Sequence, residues 1–396
     1  MGTQCIATKT LVQHRLMLLL SLKLKTAMQP KQMEGCKWRK ELRTSFLWIS
    51  LVYTYMENHC PILCITPPHL LQEIIKHGDD CHRQFAMDTL VHTERMRGQR
   101  ELYYSLPKKS QQEFRIIESA NYKESLKGTV VRTEGQGLTG DLAVDEAYTY
   151  IGNTWQFYKR LFNRNSIDGK GMSCSATVHY GNNYDNAFWN GQRMVFGDGD
   201  GQIFQRFTKC QEVIGHELQH GVTMTSANLS YTNQNGALNE AISDVFGLLV
   251  KQYSFNQSSS ESNWIVGDGL LMPSIKGEGI RNIKAPGTAY DDPLLGTDPC
   301  PANMKHYVHT TSDNGGIHIN CTIVSHAFYI SAMEMGGNAW EHLGYIWYDA
   351  VTKRLKNKTN FREFAAMTLL SAAKIYGNHS LEMKAVNKGW KKVGIL

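Results

Sequence analysis

One segment, Val213-Ile-Gly-His216-Glu217-Leu-Gln-His220, limits what this chain can fold into more than any other feature. Positions i and i+4 of an α-helix share a face about one turn apart. A helix here sets the imidazoles of His216 and His220 side by side, with Glu217 next to them. Alone, the pattern also suits a surface helix satisfied by solvent. A third candidate ligand follows in Gly236-Ala-Leu-Asn239-Glu240-Ala-Ile-Ser-Asp244-Val-Phe, a helical stretch that places Glu240 20 residues after His220. Two histidines and one carboxylate leave a fourth tetrahedral position for water, the ligand set of a catalytic zinc. Asp244, one turn beyond Glu240, is placed to accept the distal N–H of a ligating histidine and fix its tautomer.

Around these helices the chain reads in sections. Pro67 and Pro68 precede His69-Leu-Leu-Gln-Glu-Ile-Ile-Lys-His77, with Leu70, Leu71, Ile74 and Ile75 on one helical face and Gly78 as the stop. Residues 83–96 form a second amphipathic stretch, and the polar run 97–112 reads as an exposed linker open to proteolysis. Alternating apolar residues then predict strands at 114–117, 128–132, 176–180, 186–190 and 194–196, with a long amphipathic helix at 144–162. Beyond about Phe207 the pattern turns helical and is expected to stay so. Strands first and helices later indicate an α+β fold with a cleft between its halves.

Bulk properties narrow the function classes. A chain of 396 residues can bury two substantial cores. Its net charge of +6 is mild and partly gathered in the first 45 residues, so nucleic-acid binding is not expected. Nine cysteines, five in the first quarter and none in a CxxC pair, suit neither a disulfide framework nor a thiolate zinc knuckle. The apolar run 16–22 is at the minimum for a signal-peptide core, and no small-residue cleavage site follows cleanly. The run 46–55 is far short of the roughly 20 residues a span needs, so no stable membrane span is expected. Secretion and a cytoplasmic location both stay open. The sequons at Asn228, Asn256, Asn320, Asn357 and Asn378 matter only in a secreted protein, and Asn320 sits inside a motif where burial is expected.

From about Glu113 to the C-terminus the chain resembles the thermolysin family of zinc metallopeptidases. The resemblance rests on the two helical segments above, on Asn186-Ala-Phe-Trp-Asn190, on Met194-Val-Phe-Gly-Asp-Gly-Asp-Gly201 and on Asp313-Asn-Gly-Gly-Ile-His318-Ile-Asn320. Pro67-Pro68-His69-Leu70-Leu71 is similar to the opening of the short propeptide in the protealysin branch. The implied organisation is a leader at 1–60, a propeptide at 61–110, a β-rich N-terminal domain at 111–222 and a mostly helical C-terminal domain at 223–396, the last two flanking a zinc cleft.

The resemblance also implies roles. Glu217 would take the proton of a zinc-bound water and pass it to the leaving amine. Tyr231 and His318 would hydrogen-bond the oxyanion, with Asp313 orienting His318. Asn186 and the backbone of Ala187 would hold the peptide as an added strand, and Arg281 would bind a carbonyl on the primed side. Phe204, Phe207, Val213 and Ile280 would line the pocket for the residue after the scissile bond, predicting cuts before Leu, Ile or Phe. Phe207 stands where the family has a smaller aliphatic residue, which narrows that pocket. The expected partners are peptide or protein substrates and the chain's own propeptide as inhibitor.

Where the family binds paired calcium ions, this chain has Lys251, Asn263, Ile265 and Gly269, leaving Glu212 and Asp268. A lysine supplies the charge a hard cation would bring, so the double calcium site is not expected, while calcium elsewhere on the chain stays open. Two other readings stay open: a catalytically silent or permanently locked zinc-binding protein of this fold, and a different zinc hydrolase. The joint presence of Glu217, Tyr231 and His318 opposes the first, and the Asn186 strand with Arg281 opposes the second.

Overall fold

The structure, a computed structural model, describes residues 63–104 and 115–396. The leader read at 1–60 and residues 105–112 of the expected linker lie outside the described residues. In chain order the first elements are β1 (Leu63–Cys64), α1 (Pro68–His77), α2 (Asp80–Tyr104), β2 (Arg115–Ser119), β3 (Thr129–Thr133) and α3 (Leu142–Phe162). Next come β4 (Cys174–Val178), β5 (Ala187–Trp189), β6 (Arg193–Phe196), α4 (Gln211–Ser226) and α5 (Asn233–Phe255). Short strands β7 (Ile265–Val266), β8 (Arg281–Asn282), β9 (Asp291–Asp292) and β10 (Gly296–Thr297) lead to α6 (Asp313–Met335), α7 (His342–Lys353), α8 (Phe361–Tyr376) and α9 (Leu381–Lys392). This is the expected α+β architecture.

A six-stranded mixed sheet runs in the order β1-β5-β6-β4-β2-β3. Strands β2, β4 and β6 are parallel, whereas β3, β5 and β1 pair antiparallel with their neighbours. β1 comes from the segment read as propeptide and completes the sheet beyond β5, pairing Leu63 with Trp189 and Cys64 with Phe188. α3 is started by Asp141, whose carboxylate accepts from the backbone N–H groups of Ala143 and Val144. It buries Ile151, Phe157 and Tyr158 in the core. Below the sheet α4, α5 and α6 pack together; nearly all side chains of α4 and most of those of α5 are buried. An element buried all round reads as an apolar helix crossed by its functional residues.

Two expectations need correction, and one strand had no counterpart in the sequence reading. The polar run from residue 97 is not linker throughout, because α2 continues to Tyr104. Polarity alone does not separate an exposed helix from a loop, since Arg, Gln and Glu are good helix formers. The chain also does not stay helical beyond Phe207: between α5 and α6 it runs through β7 to β10 and their turns. There Trp264, Ile265, Val266, Leu270 and Leu271 enter the core from short extended pieces rather than from one helical stripe. The strand at 63–64 was not anticipated, because two residues carry no period and only pairing with β5 makes them a strand. Asn320 is fully buried and accepts from the backbone N–H of Val308 at 2.8 Å, as its motif suggested. Among the described residues no helix is long and apolar enough to cross a membrane.

Candidate functional site

α4 presents His216 and His220, and α5 presents Glu240. The two helices cross without room for side chains at the contact. A Cβ on Gly247 would stand 2.4 Å from the Glu212 carbonyl oxygen, and one on Gly215 would stand 3.0 Å from the Gly247 Cα. That close approach lets ligands from both helices converge. The Nε2 atoms of His216 and His220 are 2.9 Å apart, and the Glu240 carboxylate lies 3.4 Å from the first and 3.3 Å from the second. Ligand atoms about 2.0–2.1 Å from a tetrahedral zinc ion stand roughly 3.3 Å from each other.

The chemistry of these donors fits the metal as well as their spacing does. His216 Nδ1 is 2.9 Å from Asp244 Oδ1, and His220 Nδ1 is 3.0 Å from Asn239 Oδ1. A carboxylate and an amide oxygen only accept, so each Nδ1 carries the hydrogen and each Nε2 turns a lone pair inward. Glu240 Oε2 is buried and makes no hydrogen bond. Lone pairs and a carboxylate facing one another in a dry interior are costly unless a cation sits among them. While no metal is bound, Asp244 and Glu240 outweigh the burial that opposes a charged His216 and lift its pKa to about 9, so that a proton on Nε2 then takes the place of the cation. Burial likewise opposes ionisation of Glu240, and the histidines His318, His220 and His216 still hold it well below the usual carboxylate range. The surroundings select positive charge at the point where the three side chains meet.

Glu217 lies on the same helix and is fully buried. Its Oε2 accepts from the backbone N–H of Trp189 at 2.9 Å, while Oε1 makes no hydrogen bond. Burial pushes its carboxyl well above the usual range. On the opposite wall, α6 begins with a turn in which Asn314, Gly315 and Gly316 have φ of 51°, 91° and 72°. A Cβ on Gly315 would stand 2.3 Å from Asn233 Oδ1, which explains the glycine pair in the motif. The turn brings Asp313 back over the helix start. Its carboxylate accepts from the His318 backbone N–H at 2.8 Å and from the ring Nδ1 at 2.7 Å. Tyr231 donates to Glu240, and its hydroxyl is 3.4 Å from His318 Nε2.

A segment of the chain itself fills the space between these walls. His318 Nε2 is 3.0 Å from the carbonyl oxygen of Cys64. A carbonyl and a carboxylate are both acceptors, so both ring nitrogens of His318 carry hydrogens and the ring is a cation. Its pKa is raised accordingly, burial being outweighed by Asp313 and Glu240. The next residue, Ile65, donates its N–H to the Ala187 carbonyl at 3.1 Å, and Thr66 donates to Asn186 Oδ1 at 3.0 Å. Arg281 Nη1 stands 3.5 Å from the Ile65 carbonyl oxygen. The same guanidinium makes a bidentate pair with Asp244, with Nε to Oδ2 and Nη2 to Oδ1 both at 2.7 Å. One carboxylate thus links Arg281 to the ring of His216.

Comparison with known proteins accounts for this arrangement. Residues 90–224 match the model described as thermolysin metallopeptidase, catalytic domain, and residues 227–395 match its alpha-helical domain. The chain belongs to the thermolysin family of metallopeptidases. Residues 64–101 match the protealysin propeptide. An extracellular metalloprotease of Pectobacterium carotovorum subsp. carotovorum is 46% identical over 340 residues, covering 85% of this chain and 97% of that protein. A bacillolysin of Bacillus cereus is 40% identical over 262 residues, 64% of this chain and 44% of that longer protein. The solved precursor of protealysin from Serratia proteamaculans superimposes with a TM-score of 0.77 at 46% identity, covering 84% of this chain and all of that one.

Within this thermolysin-family frame the residues read as pocket lining, Phe204, Phe207, Val213 and Ile280, are all buried in one core cluster with Ile65. The rings of Phe204 and Phe207 are 5.8 Å apart. Lys251 places its ammonium 3.2 Å from Glu212 and 2.9 Å from Asp268, and Asn263 donates to the same Asp268 oxygen at 2.9 Å. Glu212 also accepts from the backbone N–H groups of Gly267 and Asp268.

Several participants escaped the sequence reading. The Trp189 backbone N–H, Asn239 and Ser243, whose Oγ is 2.9 Å from His220 Nδ1, orient the helical residues. Asn239 adjoins Glu240 in the sequence, which was its one visible signal.

His69 was read only as the start of a helix. Its ring Nε2 meets the Tyr290 hydroxyl at 3.1 Å, and its Nδ1 is buried with no hydrogen-bond partner. Burial depresses its pKa from 6.5 to about 4; Asp313 opposes this, His318 and Arg281 add to it, and Glu73 opposes weakly. His69 is therefore neutral while docked and has its ordinary value once released. Docking is undiminished above pH 6.5 and weakens as pH falls from 6.5 towards 4. At pH 5 the segment should open about 20-fold more often than at neutral pH, at one tenfold step per pKa unit. Hydrogen-exchange protection of α1 amides, corrected for intrinsic rates, measures this. A His69→Gln variant should lose the pH dependence, and an unchanged slope in it would reject the assignment.

Proposed function

We propose that this metallopeptidase is a zinc-dependent endopeptidase that cuts peptides before bulky apolar residues and is made as a zymogen inhibited by its own N-terminal segment. The observation that carries the reading is the seating of residues 64–66. Each of their backbone groups named above meets a residue that the family resemblance assigns to peptide recognition or, for His318, to the oxyanion.

His216, His220 and Glu240 would hold the zinc, which when bound supplies Lewis acidity and an acidified water. The other steps fall to the chain. An incoming peptide adds as a strand beside β5, with its N–H groups on Ala187 and Asn186 and its primed carbonyl on Arg281. Glu217, fixed through Trp189, takes the proton of the attacking water and delivers it to the leaving nitrogen. The His318 cation, aligned by Asp313, and the Tyr231 hydroxyl stabilise negative charge growing on the attacked oxygen. The domain division at 111–222 and 223–396, with the zinc helix at the boundary, belongs to the same reading.

Cleavage-site profiling on a mixed peptide library, with the chain trimmed of its first hundred residues or so, tests the specificity. Leu, Ile and Phe should dominate the position after the cut, with a discrimination of about 10–200-fold over smaller or polar residues. A profile led by charged residues there would refute it. A zinc-loaded, trimmed chain that cuts nothing would favour the silent alternative.

Calcium has no assigned part, because the Lys251 ammonium stands between Glu212 and Asp268. A chelator selective for calcium over zinc should leave the unfolding midpoint unchanged. A loss near 2.7 kcal/mol, the contribution of a site held at about 100 times its dissociation constant, would reinstate the ion.

A further inference from the structure

The strand in the cleft runs in a productive direction. Of its carbonyls, that of Cys64 sits on His318 and that of Ile65 faces Arg281. The bond joining these two residues therefore occupies the place between oxyanion donor and primed-side anchor. The Ile65 N–H, the nitrogen a cut would release, is held on the Ala187 carbonyl at 3.1 Å. Leu63 pairs with Trp189, whose N–H also holds Glu217, so the catalytic carboxylate is fixed beside this stretch of backbone. Ile65 is fully buried, and it is the type of side chain the proposed specificity selects.

We propose that the Cys64–Ile65 peptide bond is cut by the chain's own active site, within the same molecule. The inference rests on the function proposed above. Water adds across the amide: its oxygen bonds to the Cys64 carbonyl carbon, the C–N bond breaks, and the Ile65 nitrogen leaves as an amine. Holding the bond in place in one molecule removes the need for an encounter, a gain that reaches very large effective concentrations. The cut frees everything up to Cys64 but not the inhibitor. Thr66 keeps its bonds to Asn186 and to the Asp185 carbonyl, and His69 keeps Tyr290. On α2, Thr89 accepts from the Asp185 N–H at 3.2 Å, while His92 and Thr93 stay on Tyr180 and Tyr184 at 2.7 and 3.0 Å. Trimming at residue 64 and activation are therefore separate events, and activation requires a later cut beyond α2.

Intact-mass and N-terminal analysis of the full chain after zinc addition, over a hundredfold range of protein concentration, tests this. The expected product is about 7 kDa lighter than the 44.8 kDa chain and starts at Ile65. Its rate of formation should be independent of concentration, and activity on an added peptide should not rise as it forms. Glu217→Gln should stay whole. Ile65→Asp should slow the cut at least tenfold, whereas Ile65→Leu should keep it, which separates pocket recognition from misfolding. An intact Cys64–Ile65 bond in zinc-loaded protein whose trimmed form digests casein would overturn the inference while leaving the function standing. A rate proportional to concentration would overturn the same-molecule step. A trimmed form that digests nothing would remove the functional reading itself.

Discussion

Glu217→Gln in the trimmed, zinc-loaded enzyme should lower kcat on a peptide by about a thousandfold, with zinc content unchanged, the range for loss of a positioned proton-transfer group. The substitution keeps the shape of the side chain and an oxygen able to accept from the Trp189 N–H, so the fold around it has no reason to move. What it removes is the capacity to take a proton. Burial raises the proton affinity of this carboxyl well above that of an exposed glutamate, which makes it a stronger base once ionised. In the trimmed, zinc-loaded enzyme kcat/KM should rise with pH over the acid limb as Glu217 ionises, since only the carboxylate can take the proton. His220→Ala makes the contrasting variant, since it loses a ligand rather than a base and should empty the site of metal. A Gln variant with more than a tenth of the wild-type kcat would show that the proton goes elsewhere. A Gln variant without zinc would show that Glu217 holds the metal rather than the water.

The parts of the site legible in the sequence are those built on regular helices. The four-residue spacing of His216 and His220 and the turn from Glu240 to Asp244 translate directly into faces, and the structure brings all four together. Asp313 and His318 were legible only through a motif. Their contact depends on a left-handed turn that no period announces, although the glycine pair that permits it is visible. The crossing at Gly215 and Gly247 has the same character: the residues are plain in the sequence, and their need appears only when two helices meet. Least legible were features created by contact between distant segments. Cys64 and His318 are 254 residues apart, and nothing local in either marks the hydrogen bond between them. The stretch between α5 and α6 failed for a different reason: Gly267-Asp-Gly269 is a turn signal in plain view, and the chain there pairs Ile265 and Val266 with β8 and then turns through Gly267 and Gly269 at φ of 78° and 77°.

Arg281→Leu is expected to destabilise the chain by about 3–5 kcal/mol, the cost of stranding one member of a buried ion pair. Both side chains are fully buried, and the guanidinium meets both Asp244 oxygens. Burial works against ionisation of Asp244, and Arg281 is the largest of the influences that hold it ionised, ahead of His216. Without Arg281 the carboxylate keeps only the His216 ring, so the damage should spread to the proposed metal site. Zinc affinity should fall by about 10–100-fold, as when a partner of a ligating histidine is disturbed. Arg281→Lys should restore little, because one ammonium cannot span two carboxylate oxygens as the planar fork does. Denaturant unfolding of the zinc-loaded full chain, with zinc titration alongside, separates the two effects. A double Arg281→Leu, Asp244→Leu variant removes the stranded charge and should recover part of the folding stability. It should bind zinc no better than the single variant, because His216 then lacks the acceptor that sets its tautomer. If the single variant loses less than about 1 kcal/mol, the range of an exposed pair, water reaches Asp244 and the link from Arg281 to the metal site does not hold. If the double variant recovers zinc affinity as well, Asp244 acts on the metal through its charge and not through the orientation of His216.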